Sequence, residues 1–391
     1  MPSAVPRERV LLGLVFATTL TSIMGNSLLS PAIPDILDEF DRPDSASGLL
    51  IAATSLPGIV VAPLIGLLAD RFGRRRTIVP CLAVFGAAGV GVVTAPTFET
   101  MLAARFAMGF GAAGLVNLAI TLIGDTFTGE RRTFWIGKNA GVLTAGLAVF
   151  PLTAGFITDV AGWRWALAPY GLGLVTAVAA WSILPPDGGR TTVTFREQVV
   201  GIGRTVRNPT IAATLVGGGL GFAAMFGVFL AVLPTHLENE FGLSAGWRGV
   251  VIGLPAVTSS LAAFNLTRIR RFVPTGRLLI GGALLWVLAF ALIGLAGAIV
   301  LLVVGALLYG VGEGSMFPSM QDVAIAEAPD EQRASVMATW TGFARLGQTI
   351  GPLLAGPVLA VADSTAAMLV GSAIAGAMAA LFGLTGIRRR P

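Results

Sequence analysis

Apolar positions along this chain come in runs of about twenty, and the polar positions between them come in short bursts. A helix that crosses a bilayer needs about 20 predominantly apolar residues. The runs predict twelve such spans. The first six are Val10–Pro34, Ser47–Ala69, Thr77–Val93, Met101–Ile123, Trp135–Ile157 and Trp163–Leu184. The second six are Thr210–Pro234, Ala245–Leu266, Leu278–Leu295, Ala298–Met320, Val336–Ala360 and Thr365–Ile387. Only Gly294 to Gly297 separates the ninth run from the tenth. The longest polar stretch, PPDGGRTTVTFREQVVGIGRTVRN from Pro185 to Asn208, divides the spans evenly. It predicts an N-terminal half over 1–184, a central loop over 185–209 and a C-terminal half over 210–391. Within it, Phe195 to Val206 is either a short amphipathic helix on the membrane surface or a plain tether.

Composition agrees with lipid as the solvent. AVILMFWYC make up 54% of the chain and DEKR only 12%, against about 25% charged residues in soluble proteins. The mean hydropathy is +0.82. Gly 51 and Pro 22 are scattered through the apolar runs, as membrane helices tolerate. The first run is too long for a signal-peptide core and is followed by Asp35-Ile36-Leu37-Asp38-Glu39 without an A-x-A-like site. It is expected to stay as a helix.

Several chemistries drop out. Cys81 is the only cysteine, so neither a disulfide framework nor a thiolate metal site is available. His236 is the only histidine, and no G-x-x-x-x-G-K-[ST] loop is present. No cofactor or metal is expected, and the chain reads as something other than an enzyme or an ATP-driven pump. The net charge is +5, carried almost wholly by arginine, with Lys138 the single lysine. The basic residues lie in short interhelical segments without aromatic interleaving, so no nucleic-acid partner is expected.

Charge placement predicts the orientation. With both termini cytoplasmic, only Arg42, Arg164 and Arg248 fall on the outer side, and Arg105 and Arg345 fall inside spans. The other basic residues are cytoplasmic, which follows the positive-inside rule. The segment holding Glu327, Asp330, Glu331 and Arg333 dissents, but acidic residues count little in that rule. Arg388-Arg389-Arg390 then meets the inner headgroups.

A repeat links the halves. At an offset of 201, Gly109 and Gly111 meet Gly310 and Gly312, and Glu130 and Arg132 meet Glu331 and Arg333. In the same register Gly146, Pro151, Leu152, Ala154 and Gly155 meet Gly347, Pro352, Leu353, Ala355 and Gly356. Near the start the offset is 200, pairing Pro34 and Leu37 with Pro234 and Leu237. Two parallel repeats about an axis along the membrane normal suit a rocker, with one site between halves opening to each side in turn.

Over essentially its full length the chain resembles the major facilitator superfamily. The strongest signal is Gly66-Leu-Leu-Ala-Asp70-Arg71-Phe-Gly73-Arg74-Arg75-Arg76, similar to the family's loop motif G-x-L-a-D-R-x-G-R-[RK]-[RK]. Gly66 is expected to permit close helix approach and Gly73 a tight reversal. Asp70 is expected to pair with a basic residue or a helix end across the halves, holding one conformation and releasing the other. The second-half counterpart, Asn265-Leu-Thr-Arg268-Ile-Arg270-Arg271-Phe-Val-Pro274, lacks both the aspartate and the glycines. Arg105 opens R-F-A-M-G-F-G-A-A-G, which resembles the family's R-x-x-x-G-x-G-x-A. The resemblance implies a proton-coupling arginine facing the cavity; the alternative is a side chain snorkelling to the interface. Gly146-Leu-Ala-Val-Phe150-Pro151-Leu-Thr-Ala154-Gly155 resembles the antiporter motif G-x-x-x-G-P-x-x-G-G, with Phe150 and Ala154 departing from it. Gly351, Pro352 and Gly356 repeat it in the second half, and all these small residues are expected at helix packing contacts. Together with Gly162-Trp163-Arg164-Trp165, they resemble the drug:proton antiporter subgroup.

Four polar residues inside spans are candidates for the cavity. Glu313 is either a proton carrier or a fixed hydrogen-bond partner of a neighbouring helix. Arg345 either neutralises Glu313, attracts an anionic substrate or is structural. Asn26 either binds substrate or glues helices. Arg105 completes the set. Tyr170 and Trp340 are candidate aromatic walls. Lys138 and Asp125, at helix ends, are left outside the site. The resulting expectation is an all-α membrane protein with twelve helices in two halves, a monomer in the bacterial inner membrane. It would export a small amphiphilic compound or drug in exchange for protons. The alternative is a sugar or metabolite efflux or uptake permease of the same superfamily, favoured by Phe150 and by the absence of an acidic residue mid-way in span one.

Overall fold

A computed structural model describes residues 4–186, 208–329 and 332–385. The expected surface helix over Phe195–Val206 and the terminal arginines lie outside the described residues.

Every described element is helical. The first half holds α1 (Glu8–Glu39), α2 (Ser47–Phe72), α3 (Arg74–Val93), α4 (Phe98–Thr126), α5 (Gly129–Ala161) and α6 (Trp163–Ile183). The second holds α7 (Pro209–Phe241), α8 (Ala245–Ile269), α9 (Thr275–Gly294), α10 (Ile299–Ala326), α11 (Arg333–Val361) and α12 (Ser364–Leu384). Eleven helices in the described residues are both long and apolar enough to cross a membrane. The twelfth, α11, is 29 residues long but carries Arg345, Gln348 and a series of hydroxyls. It is enclosed by α2 and α7, so these polar groups are kept from lipid. The separation of α9 from α10 falls at Leu295–Ala298, where α9 ends at Gly294 and α10 begins at Ile299. The outer surface is apolar: Phe264 is 82% and Val160 88% exposed, which water would penalise and lipid does not.

Short polar turns end the helices by ordinary capping. Thr97 closes a capping box with Thr100 at the start of α4, and Asp363 accepts from the Ala366 amide at the start of α12. Gly73, at φ +94°, joins α2 to α3 without an intervening loop, a conformation a side chain would strain.

The repeat has a structural counterpart in paired contacts. A Cβ on Gly109 would lie 2.3 Å from the Thr54 carbonyl, and one on Gly310 would lie 2.2 Å from the Pro255 carbonyl. Each residue is 201 positions from its mate. Between the halves, Gly48 presses on the Pro352 carbonyl and Gly249 on the Pro151 carbonyl, in the same register. Such approaches need glycine, because dispersion between close backbones has to replace a hydrophobic driving force that lipid does not supply.

A cavity between the halves and its closed face

Two faces of the molecule differ. Call one the Arg248 face and the other the Arg74 face. On the Arg248 face α5 packs along α8 and α2 along α11, joining the halves. Gly155 abuts the Ala245 carbonyl and Gly356 the Ser45 carbonyl. The motif resembling the antiporter signature therefore packs against the other half. Phe150, where that pattern has glycine, is tolerated because its ring folds over Gly146 on its own helix, leaving the contact with α8 to its neighbours.

Charges reinforce this closure. Arg248 of α8, 1% exposed, is ion-paired with Asp35 of α1 and at 2.9 Å with Glu238 of α7. Asp159 of α5 accepts from the Ser244 hydroxyl at 2.7 Å and from the Gly246 amide at 3.0 Å, capping α8 across the halves. Asn239 donates to Asp44 at 2.8 Å. Sequence reading passed over this cluster, since Arg248 reads as an ordinary residue at a helix end. The signal available was two acidic residues, Asp35 and Glu238, near the matching ends of spans one and seven.

Toward the Arg74 face the ion pairs stay within a half. Asp70 accepts from Arg74 at 2.7 Å, and Arg74 also donates to Asp125 of α4 at 2.9 Å. The expected bond from Asp70 across the halves is not the one made in this conformation, its partner being Arg74 four residues on in its own half. Nor does Gly66 serve a close approach: nothing lies within 4 Å of a Cβ built there, and a cleft of about 100 Å³ runs beside it, between Asp70 and Asn117. Asp125, set aside by its position at a helix end, is the residue that ties the loop to α4. In the second half Arg270 pairs with Asp322 of α10 at 2.6 Å, so the eroded motif keeps an ion pair of the same sense as Arg74 with Asp125.

Arg105 is fully buried in this conformation, where its guanidinium is spent on hydrogen bonds within the first half and does not snorkel to an interface. Its guanidinium donates to the Leu50 carbonyl at 2.5 Å, the Gly25 carbonyl at 3.2 Å and Asn26 Oδ1 at 2.8 Å. Tyr170 donates to the same Gly25 carbonyl at 2.9 Å. One arginine thus joins α1, α2 and α4, with α6 attached through the tyrosine. Asn26 is held by that network, and Tyr170 is buried in it, away from any cavity wall.

Glu313 and Arg345 are not partners. Glu313, partly accessible, lies on α10 one turn from Tyr309 and one turn from Phe317, near the Ser259 hydroxyl of α8 and in no ion pair among the described residues. Arg345, also partly accessible, points from α11 into the first half. It donates at 2.9 Å to the carbonyl of Ala113 and at 3.1 Å to Gln348, its shaft lying on Gly58 of α2. Ala113 marks a break in α4: one helix ends at Ala112 and the next begins at Leu115. The break lies at Gly114, which passes so near Ile65 that a side chain would collide at 2.4 Å. It frees carbonyls that lack helical partners, and Arg345 supplies one.

Aromatic residues line the second half beside these groups. Phe222 packs at a tilt against Phe317 at 4.9 Å and meets Trp340 edge-on at 5.7 Å, and Phe226 continues the series. Phe229, Tyr309 and Trp286 stack in parallel at 4.3 and 4.6 Å. A π-helical stretch over Ala224–Val232 widens α7 here and shifts Phe226 and Phe229 relative to Phe222. Apolar sequence gives no sign of such a stretch.

The family model "Major Facilitator Superfamily" matches residues 15–352 and 216–391. The chain belongs to this superfamily. It is a multi-pass membrane transporter and not an enzyme. Among curated superfamily relatives, the bacillibactin exporter of Bacillus subtilis (strain 168) is 23% identical over 368 residues, covering 90% of this chain and 89% of the relative. The puromycin resistance protein pur8 of Streptomyces alboniger is 31% identical over 188 residues, 46% of this chain and 36% of that one. Among solved structures, a bacterial homolog of the human lysosomal transporter Spinster, in an inward-facing and occupied conformation, superposes with a TM-score of 0.81. That match has 17% identity and covers 98% of both chains, which shows the fold.

Proposed function

We propose that this transporter exports a small amphiphilic compound or drug from the bacterial cytoplasm in exchange for protons, as drug:proton antiporters do. It works as a monomer in the inner membrane, with both termini cytoplasmic. The positive-inside distribution of arginines supports placing the Arg74 face inside and the Arg248 face outside. The described conformation is then closed outward and parted inward. The halves, 1–184 and 210–391, rock about the contacts between α5 and α8 and between α2 and α11.

The observation that carries the reading is Glu313. It is an acidic side chain on α10 between Tyr309 and Phe317, partly accessible, near a hydroxyl and in no ion pair among the described residues. A carboxylate so placed exchanges a proton at little structural cost, whereas one in an ion pair would have to break it. Arg105, buried in its own bonds, holds the first half rigid instead of carrying protons. Asp70, Arg71, Gly73 and Arg74 act at the inner gate. When that face closes, the open space beside Gly66 is available to a helix of the other half, and Asp70 exchanges Arg74 for a partner there. The relatives named as an exporter and a resistance protein support export.

Sugar or metabolite transport is the second reading, and Phe150 in place of glycine in α5 favours it. Accumulation screens in everted vesicles, with and without an imposed proton gradient, separate the two. Uphill uptake of apolar compounds that collapses with the gradient supports antiport. Gradient-independent equilibration of sugars supports the permease.

A further inference from the structure

The polar groups at mid-depth in the helix bundle are unevenly matched. Arg345 is a permanent cation far from either membrane face, and among the described residues no carboxylate is ion-paired with it. Its bonds go to one backbone carbonyl and one amide. A guanidinium has five donors and no acceptor, so most of its capacity is unspent. Trp340, five residues earlier on the same helix, has an indole N–H without a hydrogen-bond partner among the described residues, and the same holds for the Tyr309 hydroxyl. The surplus is therefore of donors, and an uncompensated cation in the membrane is costly unless something neutralises it.

Next to these donors stands an apolar surface. Trp340, Phe222 and Phe317 meet ring to ring, and Phe226 extends the wall. Such a wall accepts a flat apolar body and gives a sugar few hydrogen bonds.

Building on the export reading above, we propose that the transported compound is an amphiphilic anion. Its acidic group takes the Arg345 guanidinium, exchanging with the Ala113 carbonyl, and its apolar body lies on the Phe222–Phe317–Trp340 wall. Glu313, turned toward Ser259 of α8, is not the counter-charge of Arg345 and stays available for protons. Taking Arg345 from Ala113 also loosens a bond that ties the halves together, so occupancy and rocking are linked. An anion leaving the cell is moreover driven outward by an inside-negative potential.

The test uses three probes on one ring system, 2-naphthylacetate, 2-naphthylacetamide and 2-naphthylethylamine, with the full chain in lipid nanodiscs. Binding is read as thermal stabilisation across a concentration series. The acetate should bind about tenfold more tightly than the amide or the amine, the scale of a charge-assisted hydrogen bond. Arg345→Gln should erase that preference while leaving amide binding as it was, and Arg345→Lys should restore part of it. Equal binding of the three probes, an unchanged preference in Arg345→Gln, or no binding by any of them would overturn the anion assignment. Uphill export of a neutral or cationic compound under a proton gradient, joined to such a result, would leave the transporter reading standing and sink only the charge preference.

Discussion

Ser30 and Leu230 stand 200 positions apart in sequence and touch, the Ser30 hydroxyl donating to the Leu230 carbonyl at 2.8 Å. They occupy equivalent places in the two halves, so their contact lies near the axis that relates the halves. Both are buried on the Arg248 face. Arg248 flanks this point with Asp35 and Glu238, and the three charges bridge α1, α7 and α8. The axis is thus closed by a short neutral bond with an ionic lock beside it.

Removing Arg248 should open this face. Deleting Arg248 leaves Asp35 and Glu238, each a little over a third exposed, without their shared cation; the cost, about 1 kcal/mol against about 3–5 for a fully buried pair, is lost from the closed state of this face. With Cys81 replaced by serine, a cysteine at position 30 is a reporter of closure. A membrane-impermeant thiol reagent added from the Arg248 face should label Arg248→Gln at least about threefold faster than the parent, a shift of under 1 kcal/mol in the opening equilibrium. Equal rates would mean that glycine packing alone keeps the face shut.

At the other face, Asp70→Asn leaves Arg74 bonded to Asp125 and so preserves the loop. Folding and insertion should be unaffected. Turnover should fall about tenfold or more, because the inward-closed state loses the charge that Asp70 would bring to it, about 1.4 kcal/mol per decade. Transport at the parental rate would reduce the loop motif to a topology signal. Asp125→Asn should show a milder loss by freeing Arg74.

Arg105 should behave as a structural residue. Interhelical hydrogen bonds in membranes average about 0.6 kcal/mol and reach about 1.7, so its three bonds predict a loss of about 2–5 kcal/mol in Arg105→Gln. Thermal stability in detergent should drop, and the coupling ratio of protons to substrate in the folded fraction should not change. A stable Arg105→Gln protein with altered coupling would return Arg105 to the proton pathway.

The spans, the repeat and the reversal at Gly73 were legible because hydropathy, glycine spacing and positive φ are local properties of the chain. The packing residues Gly109, Gly155 and Gly356 could be picked out, but their partners could not. Small residues announce that something comes close without saying what, and for Gly155 it is α8 of the other half. Arg105 and Arg345 looked alike in sequence, each an arginine inside a span. Their fates differ because Arg105 meets three acceptors in its own half, while Arg345 meets a single carbonyl exposed by the broken α4. That break lies where Gly114 meets Ile65, a contact between helices that no single run reveals. Asp125 was dismissed for lying at a helix end, although the end of α4 is where the Gly73 reversal delivers Arg74.

Proton coupling through Glu313 is the central claim, and uphill transport by reconstituted Glu313→Gln protein tests it most directly. Glutamine keeps the shape and a polar group near Ser259 but exchanges no proton. A substrate found by the vesicle screen is loaded into proteoliposomes with an imposed proton gradient, and its net uphill movement is compared with exchange of labelled for unlabelled compound. Glu313→Gln should retain exchange within about twofold of the parent and lose uphill transport by about a hundredfold, the scale on which general acid–base groups act. Uphill transport by a well-folded Glu313→Gln protein at the parental rate, with the parental dependence on the gradient, would contradict it.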